Sequence, residues 1–472
     1  MEKNGMIYGV NDRPGLWKTL VFAFQQVLAI LAATIAVPAI VGNGMSQSAA
    51  LLGAGLGTIV YLLFTKFKSP VFLGSSFAFI GSMAAAFAGA TSLSMGYLGL
   101  IIGAVLAGLV YVIIALAIKF AGVNWINKIM PAAVIGPTVA IIGLSLSGNA
   151  IGDLFKGSVM TSIDVPTIVN GVIEQVPTLV PTANPYLAML CGLITLAVVI
   201  ICSVYGKNMA KMIPFIIGIV AGYVAASIFT VIGILTENPA LQIVNFSLFA
   251  NMQWLPEFTF AKAFSGAIEW SKFGSYFLTI AAAYVPVAFV VFAEHLADHK
   301  NISSIIGTDL TKDPGLHRTL LGDGIGSMAG ALFGGCPNTT YGESVGCVAI
   351  SRNASVVTIL TAAIMCIVAA FVAPFVTFLA TIPSCVMGGV CISLYGFIAV
   401  SGLKMIQKVD LGKSYNLFTV SVILIAGVGG MVINIGAVTI TSIACALILG
   451  ILVNLLGRKA AKKDEVEEAM AE

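Results

Sequence analysis

Pro337-Asn-Thr-Thr-Tyr-Gly-Glu343 interrupts a stretch that is otherwise apolar from Gly324 to Ile350. It has a counterpart in Pro70-Val-Phe-Leu-Gly-Ser-Ser-Phe77. Each string holds a proline, a short run of β-branched, aromatic or hydroxyl residues and a glycine, and a helix-compatible apolar run follows each. Paired interruptions at matching positions of two inverted halves are the sequence mark of a membrane fold that binds its ligand between broken helices. Non-helical backbone at membrane depth must be buried in protein or line a watery cavity, because lipid cannot satisfy its N–H and C=O groups. Half-helices starting at Phe77 and Glu343 are therefore expected to aim free backbone N–H donors at the centre of the bilayer.

Composition places these strings in a membrane. The 472-residue chain is 59% hydrophobic and 9% charged, with a mean hydropathy of +1.03, far too apolar for a soluble globular protein. One helical span needs about 20 apolar residues. The uncharged runs 19–65, 69–118, 353–403 and 414–457 each hold two spans, and 129–152, 175–206, 212–236, 273–293 and 324–342 each hold one. The interrupted segment from Thr339 to Ile350 makes a fourteenth. The expected fold is thus an all-α polytopic membrane protein. Its fourteen transmembrane segments form a seven-plus-seven inverted repeat, with short β-strands and half-helices in spans 3 and 10.

With fourteen alternating spans and an inside N-terminus, 20 of the 23 lysines and arginines face the cytoplasm; only Lys156, Lys262 and Lys272 fall outside. That asymmetry is a strong positive-inside signal and predicts cytoplasmic N- and C-termini. The net charge of +3 belongs to those loops and implies no nucleic-acid partner. No cleavable signal peptide is expected, because the first residues are polar and the first apolar run is long enough to span. The eight cysteines lie in or beside apolar spans without metal-type spacing and read as packing residues. Gly322, Gly326, Gly330 and Gly334 recur every four residues and predict a face on span 9 for close helix contact. Segments 149–185 and 234–273 read as outside loops with at most a short surface helix each, Trp254 and Trp270 marking the membrane interface. The tail from Lys462 to Glu472 reads as a solvated charged end.

Two carboxylates stand where lipid disfavours them. Glu294 ends an uncharged run that begins at Phe273, and Glu343 closes the interrupted string of span 10. A carboxylate at mid-membrane costs about 2.5–3.5 kcal/mol on insertion scales, so such residues face a cavity and handle ions or ligands. Around the first the chain reads Phe292-Ala-Glu-His-Leu-Ala-Asp-His299, which stacks Glu294 and Asp298 on one helical face. His295 and His299 share another face at the spacing of a zinc pair, but the catalytic glutamate and third ligand of a zinc site are not evident, so no metal is expected. His299, beside Lys300, reads as marking the cytoplasmic end of the helix; Asp298 reads equally as helix end or as part of the site. No nucleophile or paired His/Asp array facing one cavity suggests an enzyme.

These residues carry a resemblance. Leu73-Gly-Ser-Ser-Phe-Ala-Phe-Ile80, Phe292-Ala-Glu-His295, Lys312-Asp-Pro-Gly-Leu-His-Arg318, Pro337-Asn-Thr-Thr-Tyr-Gly-Glu343 and Leu394-Tyr-Gly396 together resemble the nucleobase-ascorbate transporter family over nearly the whole chain. The resemblance implies a core domain of spans 1–4 (residues 1–130) and 8–11 (274–380), and a gate domain of spans 5–7 (131–273) and 12–14 (381–458), with a cytoplasmic tail at 459–472. It implies a multi-pass homodimer in the cell membrane that takes up uracil with protons and needs no cofactor. Carried onto this sequence, it implies that the Glu294 and Glu343 carboxylates bind the pyrimidine, with the backbone N–H groups of Phe77 and Gly342 on its carbonyls. The resemblance also implies that Ala33, Tyr341 and Tyr395 line the pocket.

The chemistry agrees. Uracil is a neutral planar ring offering two N–H donors and two C=O acceptors, matched by two carboxylates and two half-helix starts. Burying a carboxylate away from any cation favours the protonated acid, which links proton uptake to binding. Glu294, relayed through Asp298, is the expected proton carrier. Two departures bear on the ion: this chain has Gln25-Gln26 where many relatives have Gln-His, and Asp298 where a histidine is familiar one turn after the span 8 glutamate. Sodium is the alternative ion, since carboxylate and carbonyl oxygens suit it. The alternative cargoes are a purine such as xanthine or guanine, disfavoured by the Asn-Thr-Thr-Tyr-Gly-Glu string, and a sulfate-type anion, disfavoured by Glu343.

Overall fold

The structure, a computed structural model, describes residues 6–122, 124–169, 172–207, 209–435 and 438–471. The chain opens with α1 (Leu16–Val41), α2 (Gln47–Phe64), β1 (Leu73–Ser75), α3 (Ile80–Ala88), α4 (Leu93–Ala121), α5 (Asn124–Ile129) and α6 (Ala132–Ser145). Next come α7 (Ser147–Leu154), β2 (Met160–Val169), β3 (Val172–Pro181), α8 (Pro185–Tyr205), α9 (Met209–Met212), α10 (Pro214–Leu235) and α11 (Thr259–Ala263). Then follow α12 (Phe273–Ile306), α13 (Leu316–Gly334), β4 (Asn338–Thr340), α14 (Gly342–Ser351), α15 (Val356–Ala369) and α16 (Ala373–Thr381). The last elements are α17 (Ser384–Ile406), α18 (Ser414–Val428), β5 (Ile433–Ile435), β6 (Val438–Ile440) and α19 (Ser442–Ala471).

Helix limits follow local chemistry. Ser46 and Ser92 cap α2 and α4 by accepting from Ala49 N and Met95 N, while Asn184 caps α8 ahead of Pro185. Among the described residues eight helices are long and apolar enough to cross a bilayer, and the broken pair of α15 and α16 makes a ninth if it is one span. Shorter apolar helices cover Phe77–Ala88, Ser414–Val428 and Ser442–Gly457. The last helix continues to Ala471; the side chains of the charged tail, and Glu472 altogether, lie outside the described residues.

Two compact units divide the chain. The larger is drawn from Met1–Ser145, Leu255–Phe371 and Tyr395–Glu472, the smaller from Leu146–Trp254 and Val372–Leu394. In the smaller unit α8 packs on α10, where Gly218 and Gly222 admit Val199 and Thr195. The outer faces of this pair carry exposed Val204, Ile228 and Leu235, as helices facing lipid should.

In the larger unit the glycine face of α13 meets α2. A Cβ on Gly53 would lie 2.5 Å from Gly330 O, and one on Gly326 would lie 2.7 Å from Gly57 O, so both helices need glycine for this approach. A second α13 face meets α4, where a Cβ on Gly108 would lie 2.7 Å from Gly324 O. The expectation for 149–185 needs correction. This segment is no plain loop: α7 is followed by a hairpin in which β2 and β3 pair antiparallel over ten residues each, from Met160↔Pro181 to Val169↔Val172. The 234–273 segment is a loop of short 3-10 turns with one short helix, α11, as expected, and Trp254 and Trp270 are both exposed.

Candidate functional site

The two interrupted strings are brought together. β1 and β4 pair antiparallel, Leu73 with Thr340, Gly74 with Thr339 and Ser75 with Asn338. The pairing extends through Ser76 N to Pro337 O (2.9 Å) and Tyr341 N to Phe72 O (3.2 Å). A 3-10 turn at Phe77–Phe79 leads into α3, and α14 starts at Gly342. Thus the two half-helix N-termini flank a three-residue sheet. Neither Ser76 nor Tyr341 supplies a side-chain cap, and the Glu343 carboxylate meets its own backbone N–H, which leaves the N–H groups of Phe77 and Gly342 for a ligand.

Neighbouring elements satisfy the unwound backbone, as membrane depth requires. Leu73 N donates to Thr58 Oγ1 of α2 (2.9 Å), Asn338 N to Ser327 Oγ of α13 (3.0 Å), and Asn338 Nδ2 to Gly53 O (2.9 Å). Ser344 Oγ accepts from Phe72 N (3.1 Å) and from Gln26 Nε2. Gln26, noted only as a departure from the family pattern, therefore ties α1 to the first turn of α14.

The α12 residues complete the cluster. Asp298 accepts from Thr340 Oγ1 through Oδ2 at 2.8 Å, and its other oxygen lies near Gly342. Glu294, Asp298 and Glu343 are half-buried, whereas Gly342 is exposed. The charges that act on Glu294 are all acidic: those of Asp298, Glu343 and Asp323. Carboxylates gathered in this way offer acceptors to the hydrogen-bond donors of a ligand.

The other expected residues fall in the same unit. Ala33 is buried in α1. Phe77 and Tyr395 are buried and meet edge to face, with ring centroids 5.7 Å apart. The Tyr341 hydroxyl donates to Ser75 O at 2.7 Å, so this side chain stitches the crossover and has only its ring free to line a pocket.

Where His299 was read as the helix end, the structure buries it completely. Its Nδ1 bonds His295 O (2.8 Å) and its Nε2 meets the Tyr61 hydroxyl (2.7 Å), which also meets Ser69 Oγ (2.6 Å). The ring of His299 stacks on that of His295 with centroids 3.9 Å apart. His295 in turn joins Asp323 Oδ2 through Nδ1 (2.7 Å) and Thr319 Oγ1 through Nε2 (3.0 Å), all three residues being buried. Asp323 escaped sequence reading because it stands at the edge of the uncharged run that begins at Gly324. The available signal was an aspartate framed by the stripe glycine Gly322 and by Gly324.

Comparisons agree with this geometry. The chain matches the permease family over residues 17–436. It is 38% identical to the uracil permease of Bacillus caldolyticus, over 98% of both chains, and 37% identical to that of Bacillus subtilis (strain 168), over 97% of this chain and 96% of that one. The transmembrane domain of the cyanobacterial bicarbonate transporter BicA shares the fold. It is 16% identical, with a TM-score of 0.59 over 96% of this chain and 99% of that one.

Proposed function

Because this chain belongs to the permease family, the nucleobase-ascorbate transporters, and is a transporter rather than an enzyme, we propose that it imports uracil by proton symport. Glu294 and Glu343 accept from the two N–H groups of the base. The backbone N–H groups of Phe77 and Gly342 donate to its two carbonyls, and Ala33, Tyr341 and Tyr395 enclose the ring. Glu294 carries the coupled proton, with Asp298 relaying it. The observation that carries this is the β1–β4 crossover, which starts two half-helices on either side of one small sheet while Thr340 on the same sheet holds Asp298 of α12.

The relatives named uracil permease support the cargo. The fold shared with the bicarbonate transporter supports a carrier, but the acidic Glu343 at the start of α14 disfavours an anion here. We place fourteen spans in two inverted halves in the cell membrane, both termini cytoplasmic. Residues 1–130 and 274–380 form a core that moves against a gate of 131–273 and 381–458, in a homodimer. The basic-residue asymmetry supports that orientation.

Radiolabelled uracil uptake into proteoliposomes, with an imposed pH gradient and with or without sodium, tests this function. Accumulation should follow the proton gradient and resist excess xanthine. Accumulation that follows sodium and ignores the proton gradient rejects the coupling, and displacement of uracil by equimolar xanthine rejects the cargo.

A further inference from the structure

His295 of α12 is hydrogen-bonded to Asp323 and Thr319 of α13, and the proposed uracil contacts use none of the three. Their hydrogen bonds fix the protons. With its one hydrogen donated to Leu316 O at 3.1 Å, the Thr319 hydroxyl is assigned as the acceptor from His295. Nε2 of His295 therefore carries a hydrogen, and Nδ1 faces Asp323 Oδ2 at 2.7 Å. Two bare acceptors would repel at that distance, so one proton lies between them. The pair is an imidazolium with a carboxylate or an imidazole with a carboxylic acid, neutral overall in either form.

A second observation gives the pair somewhere to put another proton. Asp323 Oδ1 is buried and has no hydrogen-bond partner among the described residues, and the same holds for the Tyr111 hydroxyl of α4. Between α4, α12 and α13 a small cavity is lined by Tyr111, Val291, Gly324, Ser327 and Asn338, with room for about one water molecule. Tyr111 feels the charges of both Asp323 and Glu294, so its hydroxyl lies within electrostatic reach of both carboxylates. The titratable groups facing the pair are Glu294, Asp298 and His299 on α12, Tyr61 on α2 and Tyr111 on α4, and Glu343 on α14 acts on Glu294 and Asp298.

We propose that the His295–Asp323 pair is a second proton-holding site behind Glu294, and that the coupled proton passes between the two during transport. This rests on the proton-symport reading above and deepens it. In the step, the Glu294 O–H bond breaks and an O–H bond forms at Asp323 Oδ1. Glu294 is left as carboxylate, and the pair holds two protons with a single positive charge. That charge is the counter-ion the acidic cluster otherwise lacks. Return of the proton restores both groups. Asp323 and His295 act through Glu294 and are positioning residues for the coupling.

The test is Asp323→Asn, which keeps the shape and a neutral hydrogen bond to His295 but cannot take up the extra proton. In proteoliposomes, accumulation driven by a pH gradient should fall by roughly 5- to 150-fold, the usual size of coupling between linked sites. Uracil exchange at equal pH on both sides should fall by less than about fivefold. A variant that accumulates uracil with the wild-type pH profile overturns the proposal. Should Asp323→Asn fail to insert, Thr319→Val decides. It removes the acceptor for His295 Nε2–H and should move the pH midpoint of uptake by about one unit; an unmoved midpoint is fatal. If the wild-type protein itself ignores the pH gradient, proton symport fails and takes this proposal with it, an outcome distinct from failure of the variants alone.

Discussion

Gly74→Ala tests the crossover that joins the two half-helices. Gly74 does not have a left-handed φ, so glycine is needed here for space and not for backbone freedom. A Cβ at this position would lie 2.9 Å from Tyr341 Cδ2 and closer still to the neighbouring ring atoms. Tyr341 is only 3% exposed and has no free side to retreat to. Overpacking of that kind costs about 1–3 kcal/mol. Moving the ring also breaks the 2.7 Å bond from the Tyr341 hydroxyl to Ser75 O, and leaving that buried carbonyl unpaired costs about 1–3 kcal/mol more. Even the low total of about 2 kcal/mol corresponds to a roughly 30-fold loss of the competent arrangement. Uracil exchange in proteoliposomes, normalised to inserted protein, should fall by at least that factor. The effect should vanish once the ring is small: Gly74→Ala added to Tyr341→Leu should cost nothing beyond Tyr341→Leu alone. Exchange by Gly74→Ala within about twofold of wild type would refute this packing account.

Three further outcomes are expected. Glu294→Gln retains a hydrogen-bonding side chain but cannot cycle a proton, so accumulation under a pH gradient should disappear; preserved gradient-driven uptake would remove Glu294 as the carrier. Thr340→Val deletes the donor to Asp298, an interaction with a charged acceptor worth about 1.5–3 kcal/mol, and uptake at fixed uracil should drop roughly tenfold or more. Ser344→Ala strands two buried donors, Phe72 N and Gln26 Nε2, and thermal unfolding in detergent should show a loss of about 2 kcal/mol or more.

Much of this architecture is legible in the sequence because proline and glycine punctuate it. The strings at Pro70 and Pro337 announce unwound segments, and their pairing as β1 and β4 follows from the need to satisfy backbone inside lipid. The glycine repeat of α13 announces a close neighbour without identifying it; the neighbour, α2, contributes Gly53 and Gly57 from its own four-residue spacing. The β2–β3 hairpin was hidden by Pro166 and Pro177, which argue against a strand, although Asn170-Gly171 between the strands is a strong two-residue turn signal. Asp323 and His299 were hidden for a different reason. Position near the end of an uncharged run suggests solvent, and only three-dimensional packing shows that α2 covers His299 and that His295 of α12 meets Asp323.

The account turns on two carboxylates receiving the two ring N–H groups of the base. Binding of 1-methyluracil and 3-methyluracil to the purified protein, measured against uracil, addresses this most directly, since each methyl removes one donor and leaves the rest of the ring unchanged. Both analogues should bind at least tenfold more weakly, because each leaves a buried acceptor unpaired at a cost of about 1–3 kcal/mol. Affinity equal to that of uracil for either analogue would contradict the assignment of Glu294 and Glu343 as the groups that grip the substrate.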